Sequence, residues 1–208
     1  MDDSEAGARR WTMLEPREEA PMTPPSASTT PAFVTLAEWD SDWSQREETY
    51  ELVDGIPVLV PPESYDNRYA VMRLASIIDR ALRGQVILIT EGALQLASPG
   101  ERIRVPDLTV LRRPLPGLRR AGPEELLLVA EIVSDASEDT DWGPKRTEYG
   151  AGAIPLYLVI DVRPGHRRIA MFSDPTDGTY PETDRDREEV TVPLLGEHIR
   201  VHLDDLTW

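Results

Sequence analysis

The chain has 208 residues, of which 40% are hydrophobic and 29% charged, a composition typical of one soluble globular domain with some spare length. It has no cysteine, which excludes disulfides, thiolate zinc sites and cysteine nucleophiles, and its three histidines leave little room for a histidine-built metal centre. The net charge of −16 taken alone argues against a nucleic-acid-binding protein, because such proteins gain affinity by neutralising phosphates.

Residues 1–32 are rich in proline, serine, threonine and glutamate, a composition that buries too little apolar surface to fold. We therefore expect a disordered leader over residues 1–32, followed by a single domain over residues 33–208. The first residues lack the apolar run of a signal peptide. No stretch approaches the roughly 18 apolar residues of a membrane span, so we expect a cytoplasmic protein that does not bind membranes.

The first predicted elements of the domain are a short helix and a β-hairpin. Thr35 is a helix N-cap, and Glu38 stands three residues later as its capping-box partner. Asp54-Gly55 separates two apolar, alternating runs over residues 50–53 and 56–60, and a two-residue turn of this kind requires positive φ.

A longer amphipathic helix and a series of strands follow the hairpin. Residues 67–84 carry apolar side chains at helical spacing, and Gly84 is a natural stop. The segments QVILIT, GALQLAS and RIRVPDLTVL are predicted as three strands. The nearly continuous apolar runs LLLVAEIVS and IPLYLVIDV suit strands that are buried on both faces.

A second helix is predicted over residues 141–152, with Asp141 as its cap and Pro144 in its first turn. The segments RRIAMFS, EEVTVPLL and EHIRVHL then finish the chain as short antiparallel strands, on which His198 and His202 are expected at the surface. This order of hairpin, helix, strands, helix and strands predicts one α/β domain without internal repeats.

The charges are unevenly distributed along the chain. Residues 55–120 carry 10 arginines and 6 acids, whereas the flanking segments are strongly acidic. The basic residues of this middle third include Arg102, Arg104 and Arg112. They form either a solvated surface or a strip that faces the phosphates of a nucleic acid.

Three carboxylates occupy unusual places in the predicted strands. Glu51 lies inside an apolar strand, Asp107 follows Pro106 at the head of a strand, and Glu131 interrupts the apolar run LLLVAEIVS. Buried carboxylates are costly unless they are paired or bind a cation, and ligation by oxygen alone suits Mg²⁺ or Mn²⁺. As alternatives, Glu51 faces solvent from its hairpin strand, or Asp107 caps a turn.

Lys145 is the single lysine in a chain with 21 arginines. A bias towards arginine does not explain this exception. Because lysine is a compact point charge and arginine a planar fork, a position that stays lysine is a candidate for specific chemistry. The alternative is a surface lysine on a helix.

Four blocks of the sequence resemble the Uma2 family, also known as DUF820, of the PD-(D/E)XK nuclease superfamily. They are ELVDGIPVLVPP, VPDLTVL, LLLVAEIVS and DTDWGPKRTEYGAGAIPLYLVIDV, and the resemblance covers roughly residues 34–203. It implies a restriction-endonuclease-like core, in which helices flank a central mixed sheet. An N-terminal β-hairpin and C-terminal antiparallel strands would complete the fold.

The resemblance also implies a set of site residues. Glu51, Asp107 and Glu131 match the acids of the family and would bind Mg²⁺ or Mn²⁺. The lysine that the superfamily places two residues after the second acid would fall on Val133 and is missing, so Lys145 on the following helix would replace it. Tyr149, one helical turn later, is either a core residue or a hydroxyl that supports the site. Asn67 stands where the family often has histidine.

These residues predict a metal-dependent endonuclease that hydrolyses phosphodiester bonds of DNA, with Arg102, Arg104 and Arg112 along the approach of the substrate. The alternative is a catalytically silent nucleic-acid-binding or regulatory protein on the same scaffold, which the net charge of −16 favours. A homodimer is expected, because nucleases of this type often act in pairs on the two strands of a duplex.

Overall fold

The computed structural model describes residues 33–98, 100–181 and 186–208. The leader predicted over residues 1–32 lies outside these residues. From Ala32 to Trp208 the chain forms one compact unit, and the elements below all belong to it.

The first helix and the hairpin have the predicted local structure. Helix α1 (Leu36–Ser41) begins at the N-cap Thr35, which forms a complete capping box with Glu38. Strands β1 (Tyr50–Val53) and β2 (Ile56–Leu59) pair antiparallel around Asp54 and Gly55. These two turn residues have φ angles of 51° and 79°, as the predicted turn requires.

The hairpin belongs to a four-stranded sheet with the order β2-β1-β5-β4. Strands β4 (Leu94–Ser98) and β5 (Gly100–Arg104) complete it. Leu52 of β1 lies opposite Ile103 of the antiparallel strand β5. Glu51 and Arg104 therefore become cross-strand neighbours on one face of this sheet.

The central sheet has five strands, in the order β3-β6-β7-β8-β9. The sheet is mixed, because β7 and β8 are parallel whereas the other neighbours are antiparallel. All residues of β7 and β8 are buried, as their continuous apolar sequences predict. The strands are β3 (Ile87–Thr90), β6 (Leu108–Leu111), β7 (Leu126–Ile132), β8 (Leu156–Asp161) and β9 (Arg168–Ser173).

The segment RIRVPDLTVL is not one strand, contrary to the prediction. Within this segment, β5 ends at Arg104 and β6 begins at Leu108, and these two strands belong to different sheets. Pro106 lies in the connection, where its missing N–H breaks no ladder. Glu51 and Glu131 are consequently in different sheets.

One face of the central sheet packs against helix α2 (Tyr65–Leu82). Ser64 caps this helix and Gly84 follows its left-handed C-cap, which confirms the predicted helix and its stop. The hairpin β10 (Glu189–Leu194) and β11 (Glu197–His202) contributes to the same core. No helix in the described ranges is long and apolar enough to cross a membrane.

The opposite face carries helices α3 (Glu138–Trp142) and α4 (Pro144–Ala151). The single helix predicted over residues 141–152 is wrong, because Gly143 between the two helices has φ −115° and ψ −91°. Asp141 is therefore a buried residue of α3, and not a helix cap.

The predicted fold class is confirmed by these elements. Helices flank a central mixed sheet, an antiparallel hairpin precedes it in the chain, and antiparallel strands follow it. The two faces of the central sheet differ in what covers them. Helix α2 covers a continuous apolar core, whereas α4 covers the face beside the cavity that the predicted site residues line.

Candidate metal centre and catalytic cavity

A cavity of about 510 Å³ opens between the hairpin sheet, the carboxyl end of β7 and the start of α4. It is lined by all four residues of the predicted catalytic set, which are Glu51, Asp107, Glu131 and Lys145. The tertiary structure thus brings together residues that lie up to 94 positions apart, since Lys145 follows Glu51 by that number.

Glu131 faces this cavity because strand side chains alternate. Leu128, Ala130 and Ile132 belong to the core shared with α2, whereas Val129 belongs to the core beneath α4. Glu131 lies on the α4 side and is only 2% exposed. Burial raises the pKa of its carboxyl well above the usual range, more than the nearby Lys145 lowers it.

Lys145 lies in the first turn of α4 and is buried among carboxylates. Its Nζ is 2.9 Å from Asp141 Oδ1, 3.1 Å from Glu131 Oε1 and 3.9 Å from Glu51 Oε1. Burial alone would lower the pKa of the ammonium, but the surrounding acids outweigh burial and raise it. Lys145 is therefore a buried cation directed at the cavity, and the alternative of a surface lysine is wrong.

Tyr149 combines the two roles between which the sequence left a choice. Its ring is fully buried beneath α4, against Tyr157. Its hydroxyl donates a 2.6 Å hydrogen bond to Glu131 Oε1. Since Lys145 also approaches Oε1, that oxygen of Glu131 is engaged, whereas Oε2 has no hydrogen-bond partner in the described parts of the chain.

Asp107, like Glu131, has one carboxylate oxygen that accepts a hydrogen bond and one that accepts none in the described parts of the chain. Its Oδ2 accepts a 2.6 Å hydrogen bond from the backbone N–H of Ile132, the residue after Glu131. Burial raises the pKa of Asp107 to about 7, with a further contribution from the charge of Glu63. Two hard carboxylates that each keep one unengaged oxygen, and whose charges are destabilised by burial, fit a divalent cation.

Glu51 differs from these two acids because both of its carboxylate oxygens already accept hydrogen bonds. Arg104 Nη1 donates to its Oε2 at 2.6 Å, and the backbone N–H of Val105 donates to its Oε1 at 3.1 Å. Burial would raise the pKa of Glu51, but Lys145 and Arg104 lower it overall. Glu51 is buried rather than exposed to solvent, and it offers no unengaged oxygen to a metal in this arrangement.

The three arginines predicted to approach the substrate have different positions. Arg104 is only 3% exposed and binds Glu148 with Nε at 2.6 Å and Nη2 at 2.7 Å, so it is a buried structural cation. Arg102 lines the cavity and pairs with Asp54 and Glu148. Arg112 is exposed at the other end of β6 and is not among the residues that line the cavity.

Three acids of the cavity were not predicted as site residues: Glu148, Glu63 and Asp54, of which the last was predicted only as a residue of the hairpin turn. Glu148 holds Arg104, and its place one turn after Lys145 on α4 could have indicated it. Glu63 lines the cavity from the connection before α2, where its Oε2 accepts a 2.7 Å hydrogen bond from Asn67. No buried pattern surrounds Glu63 in the sequence, so only the fold reveals it.

A second acidic cluster consists of Glu138, Asp161 and His166, whose potential ligand atoms lie within 4.8 Å of one another. Arg163 binds both carboxylates of this cluster. The guanidinium binds Asp161 through Nε at 2.9 Å and through Nη2 at 2.7 Å, and Nη2 also binds Glu138 at 2.7 Å. The two carboxylates of this cluster are thus already paired with an arginine.

Comparison with known proteins supports the fold. The family model Uma2, described as "Putative restriction endonuclease", matches residues 33–203. A solved structure described as "a putative nuclease belonging to DUF820" from Anabaena variabilis aligns with a TM-score of 0.63 and 17% identity, over 83% of this chain and 97% of the other. No protein of curated function matches. Because the family match spans the whole described domain apart from its last five residues, the chain belongs to the Uma2 family of restriction-endonuclease-like proteins.

Proposed function

We propose that this protein is a divalent-metal-dependent endonuclease that hydrolyses phosphodiester bonds of DNA. The observation that carries the proposal is the buried ammonium of Lys145, 3.1 Å from Glu131 in a cavity that Asp107 also lines. The family described as restriction endonucleases supports DNA as the substrate.

Asp107 and Glu131 would hold the cation, which we propose to be Mg²⁺ or Mn²⁺, because they contribute hard oxygens, and because Asp107 immediately precedes β6, the neighbour of the strand β7 that carries Glu131. A divalent cation supplies Lewis-acid polarisation of the scissile phosphate. Glu51 supports the site as the ionic partner of Arg104 and Lys145.

The protein's own groups would orient the reaction. Lys145 would donate hydrogen bonds to the phosphate or to the attacking water, where its fixed charge stabilises the transition state. Tyr149 holds Glu131 in place through its 2.6 Å hydrogen bond. Arg102 would contact the substrate from the wall of the cavity, and its ion pairs with Asp54 and Glu148 position it there.

The cleavage test uses the full chain with plasmid and oligonucleotide DNA in Mg²⁺ or Mn²⁺. We expect Lys145→Ala and Asp107→Asn each to lower the cleavage rate by about a hundredfold or more, the cost of removing one preorganised electrostatic group. Arg200→Ala is the matched control for loss of a positive charge, since Arg200 is exposed on β11.

Cleavage that is absent in the wild type, or unchanged in both site variants, would contradict the enzyme. Binding of DNA without cleavage would instead favour the catalytically silent protein. We also propose that the active form is a homodimer, which light scattering on the full chain tests directly.

A further inference from the structure

We propose that Glu63 is a third carboxylate ligand of the divalent cation, beside Asp107 and Glu131. This inference rests on the proposed function. It assigns to the metal a residue that lies outside the four sequence blocks of the predicted site, and it replaces Glu51 in that role.

The six acids that line the cavity divide into two groups according to their partners. Glu51 and Glu148 bind Arg104, and Asp54 binds Arg102. The other three acids form no ion pair with an arginine in the described ranges; they are Glu63, Asp107 and Glu131. Both oxygens of Glu51 and of Glu148 already accept hydrogen bonds. The Asp54 side chain is paired with Arg102 and is 55% exposed, so the second group is the better source of oxygens for a metal.

Glu63 is held in the same way as the other two acids of its group. Asp107 accepts one hydrogen bond from the Ile132 N–H, and Glu131 accepts one from the Tyr149 hydroxyl. Glu63 Oε2 accepts one from Asn67 Nδ2 at 2.7 Å. In each case a neutral donor fixes one oxygen and the other oxygen has no such donor, which is how proteins orient ligating carboxylates.

Asn67 also ties Glu63 to the strand that carries Glu131. This buried amide donates to the carbonyl oxygens of Ile132 and Val133 at 3.3 and 3.4 Å. Ile132 is therefore linked to both acids. Its N–H donates to Asp107, and its carbonyl accepts from the Asn67 amide that holds Glu63. This arrangement places the two carboxylates at the same end of β7.

Charge balance favours the same assignment. Glu63, Asp107, Glu131 and Asp141 lie around a single buried ammonium, that of Lys145. Arg68, the nearest arginine in sequence, directs its Nε to the backbone carbonyl of Glu63. A divalent cation between Glu63, Asp107 and Glu131 would supply the missing positive charge.

The test is isothermal titration calorimetry of the full chain with Mn²⁺ alone. We expect Glu63→Gln, which conserves shape and the contact with Asn67, to weaken the Kd for Mn²⁺ by about tenfold or more. Asp54→Asn is the matched control, because Asp54 lines the same cavity but pairs with Arg102. We expect it to change the Kd by less than about twofold, as befits an exposed ion pair.

An unchanged Kd in Glu63→Gln, or an equal loss in both variants, would overturn the inference. If Asp107→Asn abolishes Mn²⁺ binding at the same time, the proposed function stands without it. If Asp107→Asn also leaves binding unchanged, the metal centre itself is wrong and the proposed function falls.

Discussion

Two acidic clusters of this protein differ in the partners of their carboxylates: one set is bound by arginine, and the other is not, within the described parts of the chain. In the cluster of Glu138, Asp161 and His166, both carboxylates bind the guanidinium of Arg163. In the candidate catalytic cavity, Asp107 and Glu131 share the influence of the Lys145 ammonium, which lies 3.1 Å from Glu131 Oε1. The possible ligand atoms of the Glu138, Asp161 and His166 cluster lie within 4.8 Å of one another, yet its carboxylates are already bonded to arginine.

The comparison indicates that the binding partner of a carboxylate, more than its distance to other acids, decides whether its oxygens are left without a donor. Arginine presents five donors in a rigid fork and satisfies several oxygens at once. The ammonium of Lys145 is a point charge, and it balances the buried acids without covering all of their oxygens. A chain with 21 arginines and one lysine thus has its lysine beside buried carboxylates that no arginine of the described ranges binds.

The largest expected effect concerns the arginine-paired wall of the cavity. Arg104→Met should lower the free energy of unfolding by about 3–5 kcal/mol, because it leaves Glu51 and Glu148 as buried charges without their guanidinium. Urea denaturation measures it. A loss below about 1 kcal/mol, the value of a surface ion pair, would contradict a structural role for this wall.

Lys145→Arg tests the comparison most directly, because it conserves charge but introduces a fork. We expect the guanidinium to bind the oxygens of Glu131 and Asp141, as Arg163 binds its cluster, and to lower DNA cleavage by about a hundredfold. A plasmid assay measures the rate. The control is Arg200→Lys on exposed β11, and full activity of Lys145→Arg would refute the distinction.

Tyr149→Phe removes only the hydroxyl that orients Glu131. We expect the affinity for Mn²⁺ to fall by about tenfold, the usual effect of losing a group that orients a ligand. Calorimetry measures the Kd, and the thermal unfolding midpoint reports whether the fold is retained. The orienting role would be wrong if the variant unfolded earlier but bound Mn²⁺ as tightly as the wild type.

Asp107 gives a smaller effect that depends on pH. Its pKa is raised from 3.8 to about 7 in the fold, so the metal-free folded state binds a proton that the unfolded state releases. The free energy of unfolding should therefore fall by about 1 kcal/mol between pH 6 and pH 8 on account of this group. Urea denaturation in EDTA at both pH values, compared with Asp107→Asn, isolates the contribution; a rise with pH would contradict it.

The smallest expected effect lies in the cluster around Arg163. Glu138→Gln should change the affinity for Mn²⁺ by less than about twofold, because its carboxylate is bonded to Arg163 and to Arg168. Calorimetry under the conditions used for Tyr149→Phe gives the comparison. A marked loss of binding would mean that this cluster, and not the cavity, holds the metal.

Much of the local structure could be predicted from the sequence. The capping box at Thr35, the turn at Asp54-Gly55 and the buried strands β7 and β8 each depend on neighbouring residues. The helix break at Gly143 was not predicted, because the prediction places Pro144 in the first turn of one helix. The sequence does carry a signal for the break, since proline disfavours the helical conformation of the residue before it.

The four site residues show where prediction from sequence ends. The apolar run around Glu131 and the uniqueness of Lys145 are visible in the sequence, and both residues do line the cavity. The binding of Arg104 by Glu51 and Glu148 is not visible, since it joins β5 to β1 and to α4. Arg104 therefore looked like a residue that contacts substrate.

The sequence by itself determined which strands are buried, which family the chain resembles and which acids interrupt apolar runs, because these properties depend on short stretches of residues. Only the tertiary structure decided which acids are bound by arginine and which are not. That distinction depends on side chains that meet across separate sheets and helices, such as Arg104 with Glu148 or Asn67 with Glu63. The local periodicity of the sequence does not predict these contacts, because each depends on how whole helices and strands pack.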